Sequence, residues 1–582
     1  MTMTQSSASE GATAPVARQW SYASGPSDVP LLGLTIGDLF DQTVERFPDH
    51  PALIARHQGI RLTYRQLQAE VNRCARALMQ LGIQKGERVG IWAPNCAEWC
   101  ITQFATAKIG AILVNINPAY RLHEVEYALS QSGCKALITA AAFKSSNYIE
   151  MLTSLAPELA SSAPGELHAA RLPELRLIVQ LGEQAVPGML RWSELLAQAE
   201  AVSDEALRAR QREQEFDDAI NIQYTSGTTG YPKGATLSHH NILNNGYFVA
   251  RLQGFTHEDR LCIPVPLYHC FGMVMGNLGC VTHGATMVYP AESFEPRAVL
   301  EAVQEERCTA LYGVPTMFIA ELEHPDFEQF DLSSLRTGVM AGSPCPVEVM
   351  RKVIEKMHMK QVEICYGMTE TSPVSTQTRL DDPLEKRVST VGQVHPHLEI
   401  KIVDPTSGKV VAVGQPGELC TRGYSVMLGY WSNPEATAQA IDRARWMHTG
   451  DLAVMDADGY INIVGRIKDM IIRGGENVYP REIEEFLYTH PKISDVQVIG
   501  VPDAKYGEEI MAWIKLKPGE QATPEEIRAF CQGQIAHYKI PRYIKFVDGF
   551  PMTVTGKIQK FVMREQAIQE LGLQEAARIQ TA

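Results

Sequence analysis

Apolar residues Ile36, Leu39, Phe40, Val44 and Phe47 recur three and four apart behind Thr35, and Leu67, Val71, Cys74, Leu78 and Leu81 do the same behind Thr63. Each run draws one apolar stripe along a helix, with the threonine placed where an N-cap hydroxyl accepts a free backbone N–H. After Thr63 the pattern alternates in type. Arg88–Trp92 reads as a strand, Ala97–Ile109 as a helix, Ala111–Ile116 as a strand, Leu122–Ser132 as a helix and Ala136–Thr139 as a strand. Such alternation predicts parallel, doubly wound α/β sheets. Between Ser161 and Gln214 the texture loosens to a strand at Leu175–Leu181 and the charged run DEALRARQREQEFDD, which reads as a solvated connection.

A second block of strand-like segments follows, including Ala219–Tyr224 and Leu261–Pro266, and from Glu399 to Val464 short β runs with turn residues predict a small β subdomain. Gly465–Pro480 marks a boundary. Beyond it, Val496–Val501, Glu509–Lys517 and a helix at Pro524–Ile535 predict a compact α+β domain. The expected division is therefore a disordered leader over 1–30, a large domain over 31–466 with its β part at about 399–464, and a C-terminal domain over 467–582.

Composition narrows the classes. At 582 residues the chain is too long for one core, and a formal net charge of -14 argues against nucleic acid as a ligand, which calls for surplus Lys and Arg. The twelve cysteines contain no C-x-x-C, so neither a zinc ribbon nor a disulfide framework is drawn, and a reducing cytosol fits. The segment from Met1 to Asp28 lacks an apolar signal core, and its cation Arg18 leaves a mitochondrial transit peptide as the alternative to a cytoplasmic chain. No apolar run reaches the roughly 18 residues that span a bilayer, so membrane contact would be peripheral.

The chemistry gathers at turns after strands. YTSGTTGYPKG, from Tyr224 to Gly234, combines Gly227, Gly230 and Gly234 with the hydroxyls of Thr225, Ser226, Thr228 and Thr229 and with Lys233, and the next helix resumes near Ser238. Such a loop suits phosphate, but it is not a Walker loop, because Pro232 precedes Lys233 and Gly234 follows it. VMAGSP (339–344) and ICYGMTET (364–371) are two more glycine-containing turns. Ligands of open α/β sheets sit outside the carboxyl ends of strands, where Tyr366 offers an aromatic face, Thr369 a hydroxyl and Glu370 a hard carboxylate suited to Mg²⁺. Asp451 could accept two ribose hydroxyls. His269 lies among Tyr268, Phe271, Gly272, Met273 and Met275, either as a core histidine or as a pocket wall.

In combination and order, YTSGTTGYPKG, YGMTE, HTGD, GRIKDMIIRGGENVYPREIE and TGKIQK closely resemble the adenylate-forming superfamily, and within it the fatty acyl-CoA synthetases of the medium-chain type, over about residues 35–570. The resemblance implies a large domain of doubly wound sheets with a small β-barrel-like subdomain, followed by a small mobile α+β lid. It implies an acid-thiol ligase that forms an acyl-adenylate from a carboxylic acid and Mg·ATP, then transfers the acyl group to CoA. By the same likeness the phosphates lie on Thr225, Ser226, Gly227, Thr228, Thr229, Gly230 and Lys233. Thr369 reaches the α-phosphate, Glu370 the metal, Tyr366 the adenine, and Asp451 with Arg466 the ribose. Lys557 meets the reacting carboxylate and is named with Thr369, Glu370 and His269 as the catalytic set. Lys468 is the implied hinge, and Gly474 and Gly475 line the CoA path. His269, Phe271, Gly272, Met275, Gly342 and Met368 line the acyl pocket. Flexible Met273, Met275 and Met368 favour an alkyl over a rigid aryl acid, and the resemblance implies acids of medium to long chain. An aryl or short branched acid, or a module loading a carrier protein, are the alternatives, and the protein would be a monomer or a homodimer.

Overall fold

The computed structural model describes residues 18–225, 232–467, 469–473, 476–503, 505–532, 534–553 and 556–577. The expected roles of Ser226, Gly227, Thr228, Thr229, Gly230, Lys468, Gly474 and Gly475 fall outside these residues, as does the leader before residue 18.

Two large sheets build the first domain. One has eight strands, with a parallel run through Leu177–Gln180, Cys134–Thr139, Arg88–Trp92, Ile112–Asn115 and Ala219–Thr225. The other has nine, with a parallel run through Gln361–Gly367, Thr337–Ala341, Ala310–Gly313, Arg260–Cys262, Thr286–Tyr289 and Pro51–Ala55. The helix Ala97–Ile109 belongs to the core that both sheets share: twelve of its thirteen residues are buried, among them Trp99 and Phe104, which explains why its apolar positions wrap all round instead of forming a stripe. Lys108 on this helix is buried only because its Nζ meets Asp41 Oδ1 at 2.6 Å and Asn72 Oδ1 at 2.8 Å.

Several expectations change. Part of the leader is ordered: Tyr22–Ser24 pairs antiparallel with Leu398–Val403, and Trp20 bridges to Ala412, so the small β subdomain is a five-stranded antiparallel sheet edged by Tyr22–Ser24 and Ile461–Arg466. The charged connection contains a helix, Asp204–Arg212, which buries Leu207 and Gln211, and Gln211 Nε2 donates to Asp38 and Asp41. The helix expected near Ser238 begins there, as His239–Leu252, but a strand without a sequence signal, Lys233–Ser238, precedes it and pairs antiparallel with Ala219–Thr225 as a hairpin.

The C-terminal domain has its own sheet, ordered Glu476–Val478, Ile471–Arg473, Gly507–Leu516 and Ile493–Asp503, with Tyr543–Phe546 parallel to Gly507–Leu516. Its core is separate, built on Ile471, Val498, Ile510, Ile514 and Ile527. Docking onto the first domain uses polar contacts: Arg481 Nη1 donates to Ile463 O at 3.0 Å and Ser494 Oγ to Glu323 Oε1 at 2.5 Å.

Candidate functional site at the domain seam

The hairpin register sets the mouth of the site. Thr225 pairs directly with Lys233, so the two ends of the glycine-rich loop are held side by side. Thr225 Oγ1 lies 3.4 Å from Glu370 Oε1. Glu370 is almost wholly buried in a single helical turn, Thr369–Thr371, that follows the strand Gln361–Gly367. The same Oε1 accepts the hydroxyl of Tyr430 at 2.8 Å, and Lys233 Nζ stands 5.2 Å from the centre of the Tyr430 ring. Tyr430 therefore ties the carboxylate to the cation. Burial, then the Glu370 charge, raises the Tyr430 pKa, which keeps the phenol a donor.

Asp451 owes its position to a bulge. Along Gly417–Gly423 only one residue separates Glu418 from Cys420, whereas three, Thr449 to Asp451, separate their partners His448 and Leu452 on the strand Met447–Met455. The surplus turns through Gly450, whose φ is +70°. The Gly450 N–H, lost to the ladder, donates instead to Glu418 Oε1 at 3.1 Å. Asp451 Oδ2 then accepts the Tyr366 hydroxyl at 2.7 Å and Oδ1 accepts Arg466 Nε at 3.0 Å. Asp451 and Arg466 are direct cross-strand partners. Burial works against the Arg466 charge, but Asp451, Asp469 and Tyr366 outweigh it and raise the guanidinium pKa.

The last cation arrives from the C-terminal domain. Thr553, Gly556 and Lys557 are tied into a turn by Gly556 N, which donates to Thr553 O at 2.9 Å, and Thr553 N, which donates to Lys557 O at 2.8 Å. Gly556 has φ +76°, and a Cβ there would lie 2.9 Å from Val314 Cγ2 and 3.1 Å from Thr316 Oγ1, so only glycine lets the turn seat this closely on the large domain. Lys557 is exposed to solvent although many protein atoms surround its ammonium. Partial desolvation by those atoms, followed by Arg466, lowers its pKa to about 8 against the attraction of Asp451, Glu370 and Asp469. His269 is reached by the same field: burial and then Lys557 push it down to about 4, and its Nδ1 accepts Phe271 N at 3.2 Å. Cys270 beside it is no nucleophile, since burial raises its thiol and Sγ donates to Gln223 Oε1 at 3.2 Å.

The structure thus brings together Thr225, Lys233, Tyr366, Thr369, Glu370, Asp451, Arg466, Lys557 and His269. The acyl side is more closed than expected. Phe271–Leu278 is a π-helical segment, an uncommon geometry that recurs at functional sites, in which Phe271 and Met275 are buried. A Cβ on Gly272 would meet Pro266 O at 2.4 Å, so its glycine is explained by backbone packing rather than by a ligand. Met273 is also fixed: its sulfur accepts from Asn115 Nδ2 at 3.1 Å and Gln223 Nε2 at 3.3 Å within a buried amide cluster. Gly342 abuts Val314, and Met368 is half-buried. A cavity of about 410 Å³ opens instead along the domain seam, between Pro266, Tyr268 and Met317 on one side and Phe550, Met552 and Gly556 on the other, and none of the six expected acyl-pocket residues lines it. Tyr430 and the amides Asn115, Asn221 and Gln223 were not legible as site residues from the sequence. A Gly-Tyr pair sixty positions from Glu370 carries no local signal of that contact.

The AMP-binding enzyme profile matches residues 40–431, and that of the AMP-binding enzyme C-terminal domain matches 482–557. YngI of Bacillus subtilis (strain 168) is 52% identical over 543 residues, covering 93% of this chain and 99% of YngI. The mitochondrial medium-chain acyl-CoA ligase ACSF2 of Danio rerio is 48% identical over 555 residues, covering 95% and 91% of the two chains. The crystal structure of the anthranilate CoA ligase AuaEII in complex with anthranoyl-AMP superposes with a TM-score of 0.83 at 30% identity, covering 94% of this chain and 99% of that one. With both domains matched and the cleft between them built as described, this chain belongs to the AMP-binding enzymes and is an AMP-forming acyl-CoA synthetase.

Proposed function

We propose that the protein activates a medium- to long-chain fatty acid with Mg·ATP and passes the acyl group to CoA. The observation that carries this reading is the seat of the Lys557 turn on Val314 and Thr316, which delivers an ammonium to the cleft already holding Asp451, Arg466 and Glu370. In the first half-reaction a carboxylate oxygen attacks the α-phosphorus and pyrophosphate leaves; in the second the CoA sulfur attacks the acyl carbonyl and AMP leaves. No enzyme nucleophile is needed, only positioning and charge neutralisation. Thr225, the loop residues Ser226 to Gly230 and Lys233 would cradle the β- and γ-phosphates. Tyr366 would face the adenine, and Asp451 the ribose hydroxyls with Arg466 beside it. Thr369 would donate to the α-phosphate, and Lys557 would neutralise both the incoming carboxylate and that phosphate.

Glu370 fits Mg²⁺: it offers a hard carboxylate, and among the described residues both hydroxyl contacts fall on Oε1. The ion, when bound, supplies charge neutralisation to the triphosphate. The second half-reaction calls for the C-terminal domain to turn about Lys468, withdrawing Lys557 and bringing Gly474 and Gly475 toward the CoA path. We assign residues 31–466, together with the edge strand Tyr22–Ser24, to the large domain and 467–582 to this lid. A medium chain is supported by the relative named for such acids, and an apolar monocarboxylic acid by the expected acyl-pocket set, which offers no cation for a second carboxylate. We place the protein in the cytoplasm, with the mitochondrial matrix as the alternative raised by that relative's name.

The test is pyrophosphate release with Mg·ATP and acids from acetate to palmitate plus benzoate, each with and without CoA. A CoA-dependent optimum at medium or long alkyl chains is expected. Turnover confined to benzoate or short branched acids would overturn the substrate, and release indifferent to CoA would point to carrier loading.

A further inference from the structure

We propose that Glu418, Cys420 and His448 form a binding site for a thiophilic divalent cation of the Zn²⁺ type, on the back of the bulge that carries Asp451. The register assembles it. Cys420 and His448 are direct cross-strand partners, and Glu418, two residues before Cys420, shares its face of the sheet. The carboxylate, thiol and imidazole donor atoms lie within 4.8 Å of one another. His448 Nδ1 stands 2.9 Å from Glu418 Oε2 and 3.5 Å from Cys420 Sγ. A tetrahedral zinc centre with ordinary bond lengths needs S···N and N···O edges of about 3.5 and 3.3 Å, so a few tenths of an ångström of opening between Nδ1 and Oε2 would admit the ion.

Two further features support the assignment. One Nδ1 can carry a single proton, so it satisfies the carboxylate or the sulfur but not both, and a cation would satisfy all three at once. On the far side of the ring, His448 Nε2 faces Asp442 Oδ2 at 3.8 Å, beyond a direct hydrogen bond but on the side from which an outer carboxylate commonly orients a ligating histidine. Asp442 is itself held, its Oδ1 accepting Ala444 N and Trp446 N. Cys420 is fully buried beside Val403 and Trp446, while 34% of the His448 side chain remains exposed, which gives an entry path and room for a water as fourth ligand. Thiolate and imidazole select Zn²⁺ or Co²⁺ over the hard Mg²⁺ that serves ATP. Coordination would release the Cys420 thiol proton and any proton on Nδ1 to solvent, so affinity would rise with pH. Glu418 Oε1 would keep its bond to Gly450 N, coupling occupancy to the rigidity of the Thr449–Asp451 turn.

The experiment is a Co²⁺ titration of the purified full-length protein after chelation and desalting. One equivalent should develop a near-ultraviolet thiolate-to-cobalt charge-transfer band that Zn²⁺ abolishes and millimolar Mg²⁺ does not. Cys420→Ala should lose the band, and Glu418→Gln should keep it but bind at least about tenfold more weakly, the scale on which ligand-shell changes act. A wild-type protein without the band overturns the proposal, as does a band that survives Cys420→Ala or an affinity unchanged in Glu418→Gln. Should Cys420→Ala fail to fold, the wild-type and Glu418→Gln titrations still decide.

Discussion

The hydroxyl of Tyr430 donates to Glu370 Oε1 at 2.8 Å while the face of its ring meets the Lys233 ammonium, so one aromatic side chain fixes two groups that two different sheets carry. A hydrogen bond to an ionised partner contributes about 1.5–3 kcal/mol. Tyr430→Phe keeps the ring and removes only this bond. Its KM for Mg·ATP should rise roughly 10- to 100-fold, with the KM for the acid unchanged. Steady-state kinetics with each substrate varied in turn checks this, and an unchanged ATP dependence would remove Tyr430 from the site.

That contact also marks where sequence reading stopped. The strand Arg88–Trp92 and the helices Ala97–Ile109 and Leu122–Ser132 have the bounds that their apolar patterns draw, because local signals define them; Gly110 and Gly133 end the two helices at φ +71° and +65°. Tyr22–Ser24 lies in a segment whose sequence predicts a disordered leader, because three residues at a sheet edge have no period, and only their pairing with Leu398–Val403 makes them a strand. The motif turns were visible as chemistry. Their convergence depends on register, such as the bulge that aims Asp451, and on amide networks such as Asn115 with Asn221 and Gln223, whose members look like ordinary strand residues.

Asp451 should matter for nucleotide affinity more than for the chemical step. Asp451→Asn retains an acceptor for Tyr366 but strips Arg466 of its charge partner. Loss of a charge-assisted bond predicts AMP binding at least about tenfold weaker. Isothermal titration with AMP measures it directly, and wild-type affinity in the variant would refute a ribose contact.

Lys557 gives the adenylation half-reaction a basic limb. A lysine whose folded pKa is lowered to about 8 loses its proton as pH rises through that value, whereas a free lysine stays charged to beyond 10. The charged form is the one that neutralises substrate, so kcat/KM for acyl-adenylate formation should fall above about pH 8. Bound triphosphate favours the ammonium, so the same limb in kcat should lie higher. His269, pushed down to about 4, stays neutral throughout and adds no limb near neutrality. Lys557→Arg should move the basic limb out of range, since guanidinium stays charged. A limb that stays put in that variant would belong to another group.

Lys557 is aimed by its turn, and the turn is aimed by Gly556. Gly556→Ala would strain the left-handed backbone by about 1 kcal/mol and set a methyl against Val314 Cγ2, so the turn must lift from the large domain. Acyl-adenylate synthesis should slow by about tenfold or more, the scale of that strain plus a displaced charge. Transfer from supplied acyl-adenylate to CoA, for which the proposed roles do not call on Lys557, should be preserved. Val314→Ala in the same chain removes the opposing methyl and should restore part of the first half-reaction, leaving the backbone strain and the approach to Thr316 Oγ1; Val314→Ala alone serves as control because Val314 also abuts Gly342. Equal loss in both half-reactions would mean that Gly556 acts through stability, and no rescue by Val314→Ala would assign the defect to backbone strain and Thr316.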